Sequence, residues 1–402
     1  MDHEVIVIGA GLAGLVAARR LAAAGVEVEV VEAADQVGGR VRTDQVDGYR
    51  VDRGFQVLNP AYPALRAEID LARLDLHPFD RGVAVRRGDG LSVVSDPFRH
   101  PSTLLALRRS PWLDPRALAG LARWVFGGGR HDRGSVAASL DAAGVTGPLR
   151  TELIDPFLTG VLLEPSGDTA AAFARRMVRY FAVGTPSLPS QGMAALPALL
   201  AEPIASRIRL GTGVDALKRT RDGWRLDAVD GVRTARAVVV ATDPRTAARL
   251  TSLAEVPMRG SYTWWFSAAT PPSELAALHL HPGAGPVINT VVISNVASSY
   301  APPGRHLVAA TTLVEASEAE VRGQLAEIYD RPTADWEVVA HQAIPDSLPV
   351  VRSPRAAGQG SRLADGLHVA GDHRAHPSIQ GALVAGRRAG AEVLTWLGRA
   401  GG

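Results

Sequence analysis

The apolar and polar positions divide the chain into blocks of different period. Glu4 to Ile8 is a short β-branched run bounded by glycine, the pattern of a buried strand. Leu12 to Ala24 is rich in alanine and leucine and predicts a helix that Gly25 ends. Val26 to Glu32 alternates valine with glutamate and predicts a second strand. Strand, helix and strand in such quick succession form a βαβ unit, which requires a parallel sheet. A second strand-rich stretch runs from Ile208 to Val240. A third block, Gly366 to Leu397, holds a strand (Leu367 to Ala370), a glycine turn and a long helix. Between these blocks, Pro101 to Met177 reads as mostly helical. Ser261 to Thr312 is richer in strand formers, and Val314 to Tyr329 predicts an amphipathic helix. No internal repeat interrupts this order.

The first block carries a phosphate-binding pattern. Gly9-Ala10-Gly11-Leu12-Ala13-Gly14 follows the strand directly and opens the helix. Gly9 suits the tight turn, Gly11 lets backbone approach a pyrophosphate, and Gly14 permits close helix–strand packing. The helix N-terminus presents unpaired N–H groups and a positive dipole end to the anion. An acid is expected about 20 residues further on to hold a ribose hydroxyl. Glu32 stands there, next to Ala33. No second pattern of this kind follows a strand, so a separate nicotinamide-nucleotide domain is not expected.

Composition narrows the chemistry. The 402 residues include no cysteine, which excludes disulfides, thiolate-ligated clusters, a dithiol relay and a cysteinyl cofactor link. Lys218 is the only lysine among 43 basic residues, and 41 acids bring the net charge to +2. That balance gives no basic footprint for nucleic acid. The histidines show no metal-ligand spacing. No stretch reaches the ~18 consecutive apolar residues of a membrane span. The acidic start lacks a basic leader region, so the chain reads as a mature cytoplasmic protein. The amphipathic stretch Pro115 to Phe126, rich in Arg and Trp, is read either as a cover for a substrate cavity or as a weak peripheral membrane contact.

Residues after Glu32 extend the pattern. Gly38-Gly39-Arg40-Val41-Arg42-Thr43, together with the fingerprint, resembles the flavin-dependent amine oxidase and phytoene desaturase superfamily. Val214 with Ala241 and Thr242 resembles the family's second FAD segment. Gly371-Asp372, followed by Ser378-Ile379-Gln380-Gly381-Ala382, resembles its C-terminal flavin motif. The resemblance implies FAD as cofactor. It implies that Arg40 contacts the pyrophosphate, that Val214 reads the adenine through its backbone, and that Asp372 holds a ribityl or phosphate oxygen. A guanidinium suits phosphate, which its fork can grip bidentately. The helix that begins near Ile379 would point its N-terminus at the flavin, with Gln380 and Ala382 in its first turn.

The expected fold is α/β: a Rossmann-like FAD-binding domain, with a mixed α+β substrate domain inserted. The FAD domain would comprise residues 1–80, 190–255 and 355–402. The substrate domain would comprise a helical part (81–189) and a sheet part (256–354). The expected activity is hydride abstraction from a small apolar organic substrate, with the electron acceptor left open. Two rivals stand beside it. One is a peroxide-releasing amine oxidase. The other is a non-enzymatic lipid carrier, like the Rab GDP-dissociation inhibitors that share the superfamily fold.

The resemblance also separates the branches. Family amine oxidases often carry a lysine near the flavin in the substrate half, whereas Lys218 lies in the second FAD segment. They often have Tyr and Glu where this chain has Ser378 and Gln380. Asp52 to Pro63 and the stretch from Tyr300 to Leu307 resemble desaturase segments instead, with Gln56 in place of their His. Gly54, Phe55 and Gln56 would then lie beside the flavin, or form a turn packed on the core. Gln56, His373 and His376 are the side chains singled out as acid–base candidates. The aromatic run Tyr262 to Phe266 is read either as core or as pocket wall. In the second case alternation places Trp264 and Phe266 together, with Phe55 and His341 as further pocket candidates.

Overall fold

A computed structural model describes residues 2–88, 90–95, 112, 114–352 and 360–399. The apolar runs at both ends of the chain meet in one eight-stranded sheet. Its main path runs Val214–Arg219, Trp224–Ala228, Gly231–Val240, His3–Ile8, Val28–Val31, Ile208–Arg209. Val5 to Val7 and Val238 to Val240 are wholly buried, as strands of a sheet covered on both faces must be. The long strand Gly231–Val240 serves two partners in turn on one side. Its start pairs antiparallel with Trp224–Ala228, and its end pairs parallel with Leu367–Val369. On its other side it takes His3–Ile8 in parallel register, Ile6 opposite Val238. N-terminal, middle and C-terminal segments therefore share one sheet.

The fingerprint helix, Leu12–Ala23, lies between this sheet and the C-terminal helix, Ile379–Trp396. The approach is close enough to exclude side chains at two glycines. A Cβ on Gly14 would fall 1.9 Å from the Gly9 carbonyl oxygen, and one on Gly386 would fall 2.3 Å from that of Ala13. Gly14 thus performs the packing role its place in the pattern implies.

A second, seven-stranded sheet runs Glu337–Pro349, Met258–Ala268, His306–Thr312, Val287–Val292, Leu278–Leu280, Gly82–Arg87, Gly90–Ser95. Its last two strands lie within 81–189, the span expected as the helical part of the substrate domain. They form a hairpin that joins the sheet by parallel pairing of Gly82–Arg87 with Leu278–Leu280. A partner so distant in sequence leaves no local signal. The helices Pro115–Phe126, Val136–Ala143, Asp155–Leu162 and Ala171–Val183 follow as the pattern predicts, while 101–111 lie outside the described residues. Glu318–Tyr329 covers one face of the second sheet. Ser317 caps it, and the capping box is closed by Glu320. Among the described residues no helix is long and apolar enough to cross a membrane.

Asp52 fastens the two sheets' surroundings together. Its buried carboxylate accepts hydrogen bonds from Thr43 Oγ1 (2.5 Å), Met193 N (3.0 Å) and Tyr300 Oη (2.9 Å). The two desaturase-like segments, around Asp52 and from Tyr300, therefore meet through one bond. Burial pushes the Asp52 carboxyl up to about 6, and its three donors only partly oppose that shift.

Two outcomes follow from this packing. Gly386→Ala forces a Cβ into the Ala13 carbonyl, so its denaturation midpoint falls, by about 1–3 kcal/mol of stability. Asp52 binds its proton more tightly folded than unfolded, so its contribution is complete below pH about 4 and is lost as pH rises through about 6. The stability of the native chain relative to Asp52→Asn, followed by denaturant titration from pH 4 to 7, should fall across that window by on the order of 3 kcal/mol.

Candidate functional site

One cavity of about 1190 Å³ opens between the two sheets. It is larger than the usual range for a single small ligand, so it has room for a cofactor and a substrate together.

One end is built from the fingerprint. Gly9, Gly11, Leu12, Ala13, Glu32 and Ala33 line it. The Glu32 carboxylate is fixed by the amides of Ala10 (2.6 Å) and Ala34 (2.9 Å). Gly38 and Gly39 are stitched onto the fingerprint turn, because Gly38 N donates to Ala10 O at 2.9 Å. Across from them, Thr212, Gly213 and Val214 come from the middle segment, with Ala241 and Thr242 at the end of its long strand. A Cβ built on Gly11 meets nothing within 4 Å, although the residue lines the cavity. The space against this backbone is open, as close approach of a pyrophosphate requires.

The waist of the cavity joins three segments at one guanidinium. Arg40 Nη2 donates to Asp372 Oδ1 at 2.5 Å, and Nη1 donates to the Ser347 carbonyl at 2.9 Å. Burial disfavours the Arg40 charge, but Asp372, with Asp243 and Asp346 nearby, more than compensates and holds its pKa above the ordinary value. Gly371 and Asp372 line the cavity beside Ser378, Ile379 and Ala382, so the C-terminal helix does present its first turn to it. Gly54, Phe55 and Gln56 close the same region.

The far end is largely apolar. Leu153, Phe157, Phe173, Met177 and Phe181 line it from the helical side, and Val83, preceded by Asp80 and Arg81, lines it from the second sheet. Phe126 lies at its rim, 71% exposed, while Trp124 of the same helix is fully buried.

Several sequence candidates stand elsewhere. Trp264 and Phe266 do share a face, but it is the far face of the second sheet, where they pack with Trp336 under Glu318–Tyr329. His341 stacks on Trp264 at 3.9 Å and goes with them. The strand's alternation was legible, whereas the side bearing the cavity was set by which helix covered which face. Trp265 points the other way into a separate core cluster. His373 is buried rather than at a surface turn, and His376 bonds Ser378 Oγ through Nδ1 at 2.8 Å. Neither lines the cavity. Burial pushes the His376 pKa down to about 4, leaving it neutral. The Gln56 amide is spent on the carbonyls of Arg40 (2.9 Å) and Arg53 (2.8 Å), which makes it a peg for the turn. The Gln380 side chain turns away from the cavity to accept from Ala64 N at 2.9 Å. Lys218 is exposed and paired with Asp227.

Sequence reasoning passed over Ser261, Asn289 and Thr311, which line the cavity from the second sheet. The available signal was a polar residue interrupting each apolar strand run, at Asn289 within Val287–Val292 and at Thr311 within His306–Thr312.

A sheet whose central strands pair in parallel, with a glycine-rich dinucleotide cradle opening onto a largely apolar chamber, has the architecture of a dinucleotide-binding protein. The family model of flavin containing amine oxidoreductases matches residues 12–394, and the chain belongs to that family. It is an FAD-dependent oxidoreductase. It is 28% identical over its full length to the full length of hydroxysqualene dehydroxylase from Rhodopseudomonas palustris. It is 41% identical to putrescine oxidase from Kocuria rosea over 103 residues, which cover 26% of this chain and only 20% of that protein. An oxidoreductase structure from Methanosarcina mazei superposes with a TM-score of 0.77 at 21% identity, covering 98% of this chain and 100% of that one.

The open space against Gly11 gives a direct check. Gly11→Val should fold, with unchanged far-ultraviolet dichroism, yet purify without flavin absorbance because its side chain enters the cofactor's space. Stoichiometric flavin in that variant would show that the pyrophosphate sits elsewhere.

Proposed function

We propose that this protein dehydrogenates an apolar organic substrate held in the chamber between Asp155–Leu162, Ala171–Val183 and the second sheet. The observation that carries the reading is the chamber wall itself, which is aliphatic and aromatic over its helical side. FAD, when bound, would supply the oxidant by accepting a hydride from a substrate C–H bond while the second hydrogen leaves as a proton to solvent, and an external acceptor of the oxygen or quinone class would restore it.

The chain's own groups bind and orient. Gly9, Gly11 and the start of Leu12–Ala23 would receive the pyrophosphate, and Glu32 a ribose hydroxyl. Val214 would meet the adenine through its backbone. Arg40 and Asp372 hold each other and would divide the phosphate and ribityl oxygens between them. Ile379 and Ala382, at a helix N-terminus capped by Ser378, would stabilise negative charge developing on the flavin. The apolar wall excludes water and fixes the substrate's approach, the larger part of catalysis where no acid–base group is needed. His373 and His376, off the cavity, take no proton in this reading.

The full-length similarity to a hydroxysqualene dehydroxylase supports an apolar substrate. The partial similarity to putrescine oxidase supports the rival, an amine oxidase. Against that rival, Lys218 is exposed on the first sheet rather than in the substrate half.

Anaerobic titration of the flavin-loaded protein separates these readings. Bleaching of the flavin absorbance by isoprenoid substrates, and not by amines, is the expected result. Bleaching by an amine, with peroxide released on admitting air, would replace the reading with amine oxidation. Tight isoprenoid binding with no bleaching under any condition would favour the carrier.

A further inference from the structure

The helical wall of the chamber is apolar, but its sheet floor is not. Asn289, Thr311, Thr263 and Gln342 are direct cross-strand neighbours on four adjacent strands, so all four point to the same face. The row begins beside the turn expected near the flavin, because Gln342 Oε1 accepts from Gly54 N at 3.0 Å and from Trp265 Nε1 at 3.2 Å. It ends under helix Asp155–Leu162, at Asn289.

The middle and far end of this row lack partners. Asn289 is 3% exposed, lines the cavity, and makes no side-chain hydrogen bond among the described residues. Thr311, 4% exposed, also lines the cavity, and its hydroxyl is buried without a partner. The Thr263 hydroxyl is likewise unpartnered, 4.0 Å from where a Gly54 Cβ would lie. Buried polar groups in native proteins are almost always satisfied, and leaving them unpaired is costly. Two hydroxyls of this row are buried without a partner, and beside them the Asn289 amide stands in the cavity wall bonded to no other group of the described residues. The facing helix accommodates them, since a Cβ on Gly160 would stand 2.6 Å from Asn289 Nδ2. Glycine there leaves the amide uncovered. Rotation about χ1 exchanges the methyl and hydroxyl of Thr311 and brings the hydroxyl toward the same space.

We propose that Asn289, with Thr311 beside it, is the specificity site for a neutral oxygen function on the substrate. This rests on the apolar-chamber reading and sharpens it: the substrate is a mostly apolar molecule bearing a hydroxyl or carbonyl group. The amide donates through Nδ2 and accepts through Oδ1, so it serves either group, and the Thr311 hydroxyl completes the set. No ionised side chain belongs to the row, which selects against a charged head group. A site built to bond an oxygen rejects the analogue lacking it, because its own polar groups are then left unpaired.

The test uses the FAD-loaded full chain and two probes of matched size, farnesol and the hydrocarbon farnesene. Binding is read by perturbation of the flavin spectrum and by calorimetry. Farnesol should bind about tenfold or more tighter, equivalent to about 1.4 kcal/mol. Asn289→Leu should remove that preference, weakening farnesol and tightening farnesene, while leaving flavin content unchanged. Thr311→Val, near-isosteric, should reduce the preference in part and provides a second reading if the first variant is poorly folded. Equal binding of the two probes, or a preference that survives both variants, overturns the proposal alone. Failure of both probes to bind overturns the apolar-chamber reading and the proposal with it.

Discussion

Everything at the site depends on the parallel pairing of Gly231–Val240 with His3–Ile8 on one side and Leu367–Val369 on the other. This one strand brings residues more than a hundred positions apart to the same sheet end. The fingerprint turn, the Ala241-Thr242 turn and the Gly371-Asp372 turn all leave the sheet at the carboxyl ends of these strands. Ligands of open α/β sheets bind at such ends, where chain turns leave a crevice. The Arg40–Asp372 pair then locks the crevice from within, and its bond to the Ser347 carbonyl extends the lock to the second sheet.

The cavity divides by charge along its length. Its first sheet end carries Glu32, Arg40 and Asp372 with backbone amides, and suits an anionic dinucleotide. The second sheet end carries largely apolar walls, with Asn289 and Thr311 as neutral polar residues and Asp80 and Arg81 as charged residues beside Val83. A charge moved onto the apolar helical wall would lose hydration without gaining a partner. Asp52 reinforces the junction from outside the cavity. It ties Thr43 and Met193, near the cofactor half, to Tyr300 in the substrate half.

Much of the cofactor half was legible because its chemistry is local. Tight turns need glycine at fixed offsets, and a ribose acid must stand at the end of the next strand. Gly9, Gly11 and Glu32 therefore stand where spacing expects them. The family resemblance extended this to Gly38, Arg40, Val214, Ala241 and Asp372, all of which line the cavity. The substrate half was far less legible. Trp264 and Phe266 alternate as a strand should, yet alternation gives two faces without saying which one meets the cavity. His373 and His376 sit next to a cofactor motif in sequence but are turned into the protein by their own short turn.

The sequence by itself determined the βαβ start, the dinucleotide fingerprint and the absence of thiol chemistry, which follow from residue identity and short spacing. FAD as the cofactor, and the displacement of the single lysine from the substrate half, came from the family resemblance its motifs carry. The tertiary structure alone decided which polar strand residues face the chamber, and that Gly160 leaves Asn289 uncovered. It also decided that a hairpin from 82–95 joins the second sheet by a parallel pairing. Such facts depend on which surfaces pack together, and packing between distant segments leaves no periodic trace in the chain.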